Sequence, residues 1–381
     1  MKILIATFTF PPESNGVSYV TYAHAVGLAK RGHEVAVVTK VNKQRNEKEF
    51  RTDRIRIFEF NIEGSGNVRR GYSGEIREYQ EFIAHFNADV MLFHCWQTWT
   101  TDLAIPMFPY NKAKKILISH GVSANLILSP KNFLNWLCWR PYIWKMPKML
   151  KAFDHIVFLT SCVDKNRFYD FYLAQKLKLV NYSIIPNGTY PMKNKNIDFK
   201  QKFNIDSKYI ILQVANYNFI KNQKLTLEAF AISELKNTIL VFIGNEKNSY
   251  SNKLEKLAEK LNIKNKTIFL EKLPREMIVA AYLSSDLFVC SSLSEVQPLV
   301  ILDAMRAGVP FISTNVGCIK TLAGGIIIKN KFEMAEAMRI LIENEALRKR
   351  LGDEGKRVSE EMYDWEIIID KYESLLRDMS L

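Results

Sequence analysis

The amino-acid sequence predicts an α/β protein with two domains, each built on a parallel sheet. Short apolar segments of buried-strand type alternate with segments of helical periodicity along most of the chain. At 381 residues the chain is too long for one ordinary hydrophobic core, so two are expected. The segment from Tyr190 to Asn196 is rich in Pro, Lys and Asn, as linkers are, and it separates two such alternating halves.

The composition is that of an ordinary globular protein, with 48% hydrophobic and 24% charged residues. Five scattered cysteines show no metal-ligand spacing and favour a reducing compartment. No uncharged apolar run is long enough to cross a bilayer. We therefore expect a cytoplasmic protein, either free or peripheral on the cytoplasmic face of the membrane.

The net charge of +13 is unevenly distributed. Residues 1–190 have a net charge of +10, residues 191–381 have +3, and all six histidines lie in the first half. A basic half beside a nearly neutral half predicts different partners for the two domains.

The amino-terminal segment predicts strands at Lys2–Phe8 and Glu34–Thr39 around a helix at Val17–Arg31. A strand–helix–strand unit of this kind predicts a parallel sheet. The loop Pro11–Gly16 lacks the Gly-x-Gly-x-x-Gly pattern that binds dinucleotides, which argues against a nicotinamide enzyme.

Two further predicted strands, Asp89–His94 and Lys115–Gly121, have a histidine at their carboxyl ends. Ligands of open α/β sheets bind at that edge of the sheet. Both histidines are therefore candidates for a substrate contact, although a single histidine is more often structural than functional.

The segment Asn132–Phe153 interleaves aromatic and other apolar residues with Arg140, Lys145, Lys148 and Lys151. Pro141 and Pro147 are expected to break it, so that it does not form one continuous helix. Aromatic and basic residues together are typical of a membrane interface, here the inner leaflet, or of a site for a lipid-linked acceptor. An ordinary core helix region with basic edges is the alternative. Single-stranded nucleic acid ranks below both, because no nucleic-acid-binding module accompanies the segment, and no nucleic-acid partner is expected.

The first domain is expected to end after a strand at His155–Ser161 and a turn at Ser183–Gly188. The second repeats the alternation, with a helix at Leu225–Ala231 and strands at Tyr209–Ala215, Thr238–Gly244 and Thr267–Leu270. A last helix is expected from Tyr363 through Leu376.

The region from Asp286 to Thr314 predicts a strand, a polar loop, a helix and a second strand. Pro298 suits the first helical position, because its missing N–H costs nothing there. Apolar residues then repeat at helical spacing, at Leu299, Leu302 and Met305. Gly308 can adopt the left-handed conformation just beyond the helix. The free N–H groups at such a helix start form an anion site suited to phosphate.

Two acids accompany this anion site, Glu295 just before the helix and Asp303 within it. A carboxylate repels a bound phosphate. Glu295 is therefore expected to accept hydrogen bonds from hydroxyl groups of an attached sugar or ribose, and Asp303 offers a second acid.

This region resembles the nucleotide-sugar site of group 1 (family 4) retaining glycosyltransferases. The resemblance consists of Glu295, seven intervening residues, an acid, an Ala-Met-x-x-Gly-x-Pro segment and a strand leading to Gly317. That family has the GT-B fold, in which two Rossmann-like, doubly wound domains face each other. The sequence departs from the family at the second acid, which is usually Glu and here is Asp303. It also departs at the small residues after the first acid, which are replaced by Val296, Gln297 and Pro298.

The resemblance extends to two loops of the first half. Where the family has Pro-Pro followed by paired glycines, only the second glycine, Gly16, is present, and Asn15 replaces the first. An ordinary tight turn is the alternative for this loop. His120-Gly121 matches a strand-end His-Gly that lies beside the site of sugar transfer in the family. The resemblance therefore implies that His120, ahead of His94, contacts the donor sugar or the acceptor.

In the second half, the loop after Tyr209–Ala215 supplies an Arg and a Lys to the diphosphate in the family. Lys221 matches the Lys, but Asn216 stands where the Arg is expected, and an amide brings no charge. Gly244 is expected where the nucleotide passes, and the segment around Leu273 is expected near the base.

The resemblance implies an acceptor-side domain at 1–189 with a helix returning at 364–381, and a donor-binding domain at 190–363. It implies His120, Lys221 and Glu295 as catalytic residues. The residues implied to bind the donor are Gly16, Asn216, Asn218, Lys221, Gly244, Leu273, Glu295, Gln297, Pro298, Leu299, Val300 and Asp303. The implied activity moves a hexose from a UDP- or GDP-sugar to a saccharide or lipid-linked saccharide acceptor, in the biosynthesis of surface polysaccharide.

No tightly bound cofactor and no metal are expected, since no Asp-x-Asp motif occurs. Lys221 and backbone N–H groups would then stabilise the negative charge of the leaving group. The departing phosphate would act as the base for the attacking hydroxyl, as proposed for the family. Two alternatives stay open. One is a non-catalytic GT-B subunit that binds or assembles at the membrane, which the departures at Asn15, Asn216 and Asp303 allow. The other is a GT-B sugar-nucleotide epimerase, which the Glu295-to-Asp303 pattern disfavours.

Overall fold

The computed structural model describes residues 1–45, 55–127, 133–162, 166–193 and 195–379. The chain divides into two compact units, residues 1–187 with 365–381, and residues 188–364. The domain bounds expected from the sequence differ from these by one or two residues. The acceptor and donor roles of the two domains stay predictions.

The first unit is built on a parallel sheet whose strands are β1 (Lys2–Ala6), β2 (Glu34–Lys40), β3 (Ile55–Phe60), β6 (Val90–His94), β7 (Lys114–Ser119), β8 (His155–Phe158) and β9 (Tyr182–Ile184). A separate antiparallel ribbon pairs β4 (Ile62–Ser65) with β5 (Gly71–Gly74). The strand order in the sheet is β3-β2-β1-β6-β7-β8-β9, with every pair parallel. The central strands are apolar and almost wholly buried, as expected for strands covered on both faces.

The described helices that precede the second unit are α1 (Gly16–Lys30), α2 (Ile76–His85), α3 (Trp99–Asp102), α4 (Phe133–Cys138), α5 (Arg140–Leu150) and α6 (Tyr169–Lys176). Helix α1 begins one residue earlier than predicted, because Asn15 is its N-cap. The Asn15 side chain accepts a hydrogen bond from the Ser18 N–H at 3.0 Å and donates one to Thr9 Oγ1 at 2.7 Å. Asn15 therefore fixes the opening loop by hydrogen bonding.

The prediction that both prolines break the aromatic segment is wrong for Pro147. The break falls at Trp139, between α4 and α5, with Pro141 in the first turn of α5, whereas Pro147 lies inside that helix. A proline removes one backbone hydrogen bond from a helix interior. Burial of one face of α5 compensates for this loss, through Tyr142, Ile143, Met146 and Leu150.

The second unit contains a parallel sheet formed by β10 (Tyr209–Val214), β11 (Thr238–Gly244), β12 (Thr267–Glu271), β13 (Leu287–Cys290), β14 (Phe311–Thr314) and β15 (Gly325–Ile328). Its order is β12-β11-β10-β13-β14-β15. The helices are α7 (Phe199–Lys202), α8 (Gln223–Ser233), α9 (Ser249–Lys260), α10 (Arg275–Leu283), α11 (Leu299–Arg306), α12 (Lys331–Glu343) and α13 (Glu345–Met362).

Helices cover both faces of the second sheet. Alternate residues of β10 contribute to two different apolar clusters, Ile210 and Leu212 to one and Ile211 to the other. Successive side chains of a strand point to opposite faces, so the two clusters are the two faces of one sheet.

Each sheet has a point where the strand order reverses. In the first sheet it lies between β1 and β6, and in the second between β10 and β13. Open α/β sheets bind ligands outside the carboxyl ends of the strands at such a switch point.

The last described helix, α14 (Trp365–Asp378), belongs to the first unit and packs against α1. Gly27 permits close packing, because a Cβ atom there would lie 2.6 Å from the Ile369 side chain. Arg31 pairs with Glu366 at 3.1 Å and with Asp370 at 2.5 Å. None of the helices within the described residues combines the length and the apolar character that crossing a bilayer requires.

Candidate active site

The loops after β10 and β13 bring Lys221 and Glu295 together at the switch point of the second sheet. A short 3-10 turn, Phe219–Lys221, follows β10, and Glu295 lies in the loop that leads from β13 to α11. Lys221 Nζ is 2.6 Å from Glu295 Oε1, and the two side chains are 28% and 12% exposed. An ammonium and a carboxylate thus meet where open α/β sheets bind ligands.

Buried polar groups fix the position of Lys221. Asn218, a predicted donor-binding residue, caps the turn by accepting a hydrogen bond from the Lys221 N–H at 3.1 Å. Ser291 Oγ lies 2.9 Å from the carbonyl oxygens of Lys221 and Asn222. Gln213 Nε2 donates to Ser291 Oγ at 3.0 Å. Gln213 and Ser291 were not among the predicted site residues; the available signal was a glutamine within a segment of buried-strand type.

Gly317 supports the loop that contains Glu295. Its φ of +59° lies in the left-handed region, and a Cβ atom there would be 2.5 Å from the Val296 carbonyl oxygen. The next residue, Cys318, donates its N–H to the same oxygen at 3.0 Å. Only glycine fits at position 317 without displacing the Glu295 backbone.

Helix α11 begins one residue later than predicted, with Pro298 at the N-cap instead of the first helical position. The Pro298 backbone is extended, with ψ at 114°, and its side chain makes no capping hydrogen bond. The N–H groups of Leu299 and Val300, at the start of the first turn, have no acceptor further back within the helix, whereas the Ile301 N–H donates to the Pro298 carbonyl at 3.1 Å. Gly308 adopts a φ of +74° just beyond the helix, as predicted.

Asp303 is largely buried, with 5% of the residue exposed, and both carboxylate oxygens accept hydrogen bonds. Oδ1 accepts from the Thr189 hydroxyl at 2.8 Å, and Oδ2 accepts from Arg275 Nη1 at 2.7 Å. Thr189 and Arg275 were missed by the sequence analysis, since both are remote from Asp303 in the chain. The donor-binding role of Asp303 stays a prediction.

The other predicted donor-binding residues of this unit occupy varied surroundings. A Cβ atom at Gly244 would lie 2.5 Å from the Tyr217 ring, so glycine at this position makes room for that ring. Leu273 is half-buried against the apolar cluster that contains Ile210, and Asn216 is exposed. Gln297 is buried. Their contacts with a donor stay predictions.

In the first unit, His120 follows β7 and lies beside His94, the last residue of β6. His94 Nδ1 is 3.2 Å from His120 Nε2. Burial and the nearby charge of Arg167 lower the pKa of His120 to about 4, so the imidazole is neutral at neutral pH. Gly16 is exposed at the first position of α1.

A buried carboxylate stabilises the turn that contains His120. Asp170 accepts hydrogen bonds from the Ser119 hydroxyl and from Trp96 Nε1, the latter at 2.8 Å. Gly121 donates its N–H to Ser119 Oγ at 3.1 Å. Burial raises the pKa of Asp170, and the two donated hydrogen bonds oppose that shift.

The described part of the aromatic and basic segment has one buried and one exposed side. Helix α4 has no buried residue, and Leu134 is 68% exposed. Trp144 on α5 is 74% exposed, and Lys145, Lys148 and Lys151 are exposed beside it in the sequence. Among the described residues, no group of three His, Cys, Asp or Glu side chains is placed to hold a metal ion.

Two family models together match most of the chain. Residues 14–188 match Glycosyltransferase Family 4, and residues 194–358 match Glycosyl transferases group 1. The chain belongs to the group 1 glycosyltransferases. The second match contains both Lys221 and Glu295, and the first contains His120.

Relatives of this group 1 glycosyltransferase include the alpha-monoglucosyldiacylglycerol synthase of Streptococcus pneumoniae. The two are 24% identical over 82% of this chain and 71% of that protein. Sucrose-phosphate synthase from Thermosynechococcus elongatus has a similar structure, with a TM-score of 0.79, 15% identity and coverage of 99% of this chain and 98% of that one. Anabaena HepE, solved in complex with UDP and glucose, has a TM-score of 0.78, 15% identity and coverage of 99% and 100%. These likenesses confirm the predicted fold class, GT-B, with its two Rossmann-like parallel-sheet domains.

Proposed function

We propose that this glycosyltransferase transfers a hexose with retention of configuration from a nucleoside diphosphate sugar to a saccharide or lipid-linked saccharide acceptor. Surface polysaccharide biosynthesis is the process that fits such an acceptor. The donor is a UDP- or GDP-sugar. The solved complex of Anabaena HepE with UDP and glucose supports a UDP-sugar.

The observation on which this proposal rests is the Lys221–Glu295 pair at the switch point of the second sheet. The cation suits a diphosphate, and the carboxylate suits the hydroxyl groups of the attached sugar. The start of α11, which follows Glu295 in the chain and has no capping side chain, adds backbone donors for an anion. The diphosphate and the sugar of the donor thus both find chemically matched groups within one unit.

The residues of this chain would act mainly on the leaving group. The bond between the sugar C1 and the β-phosphate oxygen breaks, and the acceptor oxygen forms a new bond to C1 on the same face. The acceptor proton passes to the departing β-phosphate, so the products are a glycoside and a nucleoside diphosphate. Lys221 and the amides of α11 stabilise the charge that develops on that phosphate. No step requires a metal ion or a covalent sugar–enzyme bond.

The exposed surface of α4 and α5 supports a membrane-associated acceptor. We define the α4–α5 surface by Phe133, Leu134, Leu137, Trp144, Lys145, Lys148 and Lys151, all of which are exposed. Apolar side chains beside lysines match the hydrocarbon boundary and the anionic headgroups of an inner leaflet. The name of the Streptococcus pneumoniae relative, alpha-monoglucosyldiacylglycerol synthase, is consistent with a lipid acceptor here. The protein would then lie peripherally on the cytoplasmic face of the membrane.

The test combines binding with turnover. Purified protein is screened with UDP, GDP and their sugars by thermal shift, and nucleotide release is measured with and without membrane lipid extract. We expect one diphosphate to raise the melting temperature, and its sugar to release nucleotide faster when extract is present. Binding without any release would favour the non-catalytic alternative, and release of a rearranged free sugar would favour an epimerase.

The Glu295→Gln variant tests the assignment of the acid. Removing a charged hydrogen bond to a sugar hydroxyl should lower transfer by about 10- to 100-fold. Binding of the nucleoside diphosphate alone should be retained, because the variant removes a negative charge from beside the phosphate site. Transfer at the wild-type rate would show that Glu295 does not accept a functional hydrogen bond from the donor sugar.

A further inference from the structure

Three histidines from three different elements form a continuous row in the first unit. His24 lies on α1, His94 ends β6, and His120 follows β7. His24 Nδ1 is 3.4 Å from His94 Nε2, and His94 Nδ1 is 3.2 Å from His120 Nε2. His94 therefore uses both of its ring nitrogens inside the row.

The row is buried at one end and partly open at the other. His24 and His94 are buried, and His24 packs against the rings of Trp365 and Tyr372 on α14. His120 is only half-buried. Any contact between the row and a substrate must therefore pass through His120.

All three imidazoles are neutral at neutral pH. Burial lowers the pKa of His24 to about 3, and burial lowers the pKa of His94 well below its ordinary value, with the two neighbouring imidazoles adding to the effect. His120 is shifted in the same direction. A neutral imidazole has one N–H and one lone pair, so each ring can donate through one nitrogen only.

This restriction leaves two arrangements of protons. Two N–H···N bonds across three neutral rings can form together only if every N–H points the same way along the row. In one arrangement His94 Nδ1 donates to His120 Nε2, and the proton of His120 is on Nδ1. In the other, His120 Nε2 donates to His94 Nδ1, and Nδ1 of His120 has the lone pair. The two arrangements differ in free energy, because the first leaves a lone pair and the second an N–H on Nε2 of the buried His24. One arrangement therefore predominates.

We propose that His94 is a positioning residue that, backed by His24, holds His120 neutral, in one ring orientation and in one tautomer. Nδ1 is then the one ring nitrogen of His120 available to a substrate hydroxyl. The consequence for turnover rests on the proposed function and on the prediction that His120 contacts the donor sugar or the acceptor. The consequence for the tautomer does not depend on any activity.

The direct test is nitrogen NMR of the imidazoles in the free protein, labelled with ¹⁵N-histidine. The protein has six histidines, and the His120 signals are identified by their loss in a His120→Asn variant. We expect the wild-type His120 to be neutral and in a single tautomer at pH 7. A mixture of tautomers, or a protonated ring, would overturn the proposal.

Two variants of nearly equal size separate hydrogen bonding from packing. In His94→Asn the amide remains near the position of Nδ1 and can still bond to His120, whereas His94→Leu removes that bond. We expect the Leu variant to show both His120 tautomers and about tenfold lower kcat, the size of one lost hydrogen bond. The Asn variant should keep one tautomer and most of the activity. Equal losses in both variants would assign His94 a packing role and end the proposal.

If the proposed function is wrong, the variants give results different from those expected if the proposal about the histidine row is wrong. If His120→Ala transfers sugar normally, His120 has no role in turnover, yet the tautomer of His120 in the free protein still tests the row. Thermal melts of each variant show whether it is folded. If the His94→Leu variant does not fold, the wild-type spectrum still decides whether His120 has a single tautomer.

Discussion

At the scale of single residues, the ion pair between Lys221 and Glu295 determines how charge is balanced in the candidate site. The two residues lie 74 positions apart in the chain and are joined at 2.6 Å. Since Glu295 offsets the charge of Lys221, the ammonium is already positioned at the switch point by an internal partner. A diphosphate would share this cation with Glu295.

Replacing Lys221 by Ala should weaken binding of a nucleoside diphosphate. A charge-assisted hydrogen bond to phosphate is lost, which corresponds to about 2 kcal/mol, or roughly thirtyfold in affinity. Isothermal titration calorimetry with UDP and GDP provides the measurement. Lys224→Ala is the matched control, because Lys224 is an exposed residue of α8 that pairs with Glu228. Equal affinities for wild type and Lys221→Ala would remove Lys221 from the phosphate site.

The buried His24 should make the protein sensitive to acid. Its pKa is about 3 in the folded protein and 6.5 when unfolded, so below pH 6.5 the unfolded chain takes up a proton that the folded protein does not. The free energy of unfolding should therefore fall as the pH falls from 6.5 towards 3. At pH 5 the loss relative to pH 8 amounts to about 2 kcal/mol for this one histidine.

The comparison of wild type with His24→Phe isolates this effect. Asp102 acts in the opposite direction, because burial raises its pKa to about 7 and the folded protein binds that proton first on acidification. Asp102 is present in both proteins, so its contribution cancels. Urea denaturation at pH 8 and pH 5 should show a smaller acid loss in the variant. An identical pH dependence would mean that His24 is not buried in the neutral form.

At the scale of elements, apolar periodicity and the positions of Pro and Gly locate most strands to within two residues, but they gave positions for few of the helices, namely α1, α8, α11 and α14. Local signals are sufficient for α11, where Pro298 and Gly308 bound a regular apolar repeat. They do not predict the tolerance of Pro147, since it depends on the burial of one face of α5. The Asn15 cap, by contrast, is a local feature, because its side chain accepts a hydrogen bond from the Ser18 N–H three residues later. The partners of Asp303, the Gln213–Ser291 contact and the histidine row join distant segments, so no local pattern could indicate them.

The α4–α5 surface should bind anionic bilayers. Replacing Leu134 and Trp144 by Ser removes two exposed apolar side chains without touching the buried face of α5. Sedimentation with vesicles containing an anionic phospholipid should show weaker binding than wild type, because burial of each such side chain contributes about 1.5–3 kcal/mol. Phe332→Ser is a control, since Phe332 is also exposed but lies on α12. If the double variant and wild type bind vesicles equally, this surface is not the membrane contact.

At the scale of the whole molecule, the two units differ in charge and in how their chain is arranged. The net positive charge is concentrated in residues 1–190, where the acceptor is proposed to bind, because that half has fewer acidic residues. The second unit is a continuous segment, residues 188–364, whereas the first is completed by α14 from beyond it. The groups proposed to bind the diphosphate all lie within the continuous segment.

Ending the chain after Asp364 should destabilise the first unit selectively. The truncation removes five buried side chains from the first unit, those of Trp365, Ile368, Ile369, Tyr372 and Leu376. Limited proteolysis should then cleave within residues 1–187, while nucleoside diphosphate still protects the second unit. A chain ending after Asp378 keeps α14 and serves as the control. Loss of nucleotide binding together with the first unit would show that the two do not fold independently.

The position of α14 also affects the order of folding during translation. Domains commonly fold in the order in which the ribosome makes them, starting from the amino terminus. Here residues 1–187 leave the ribosome first, but the first unit is incomplete until Trp365–Asp378 are made, and these residues follow the entire second unit in the chain. The second unit can therefore mature while the earlier-made one still exposes the side of α1 that Ile369 covers, and nascent chains would need protection there until synthesis has passed residue 378.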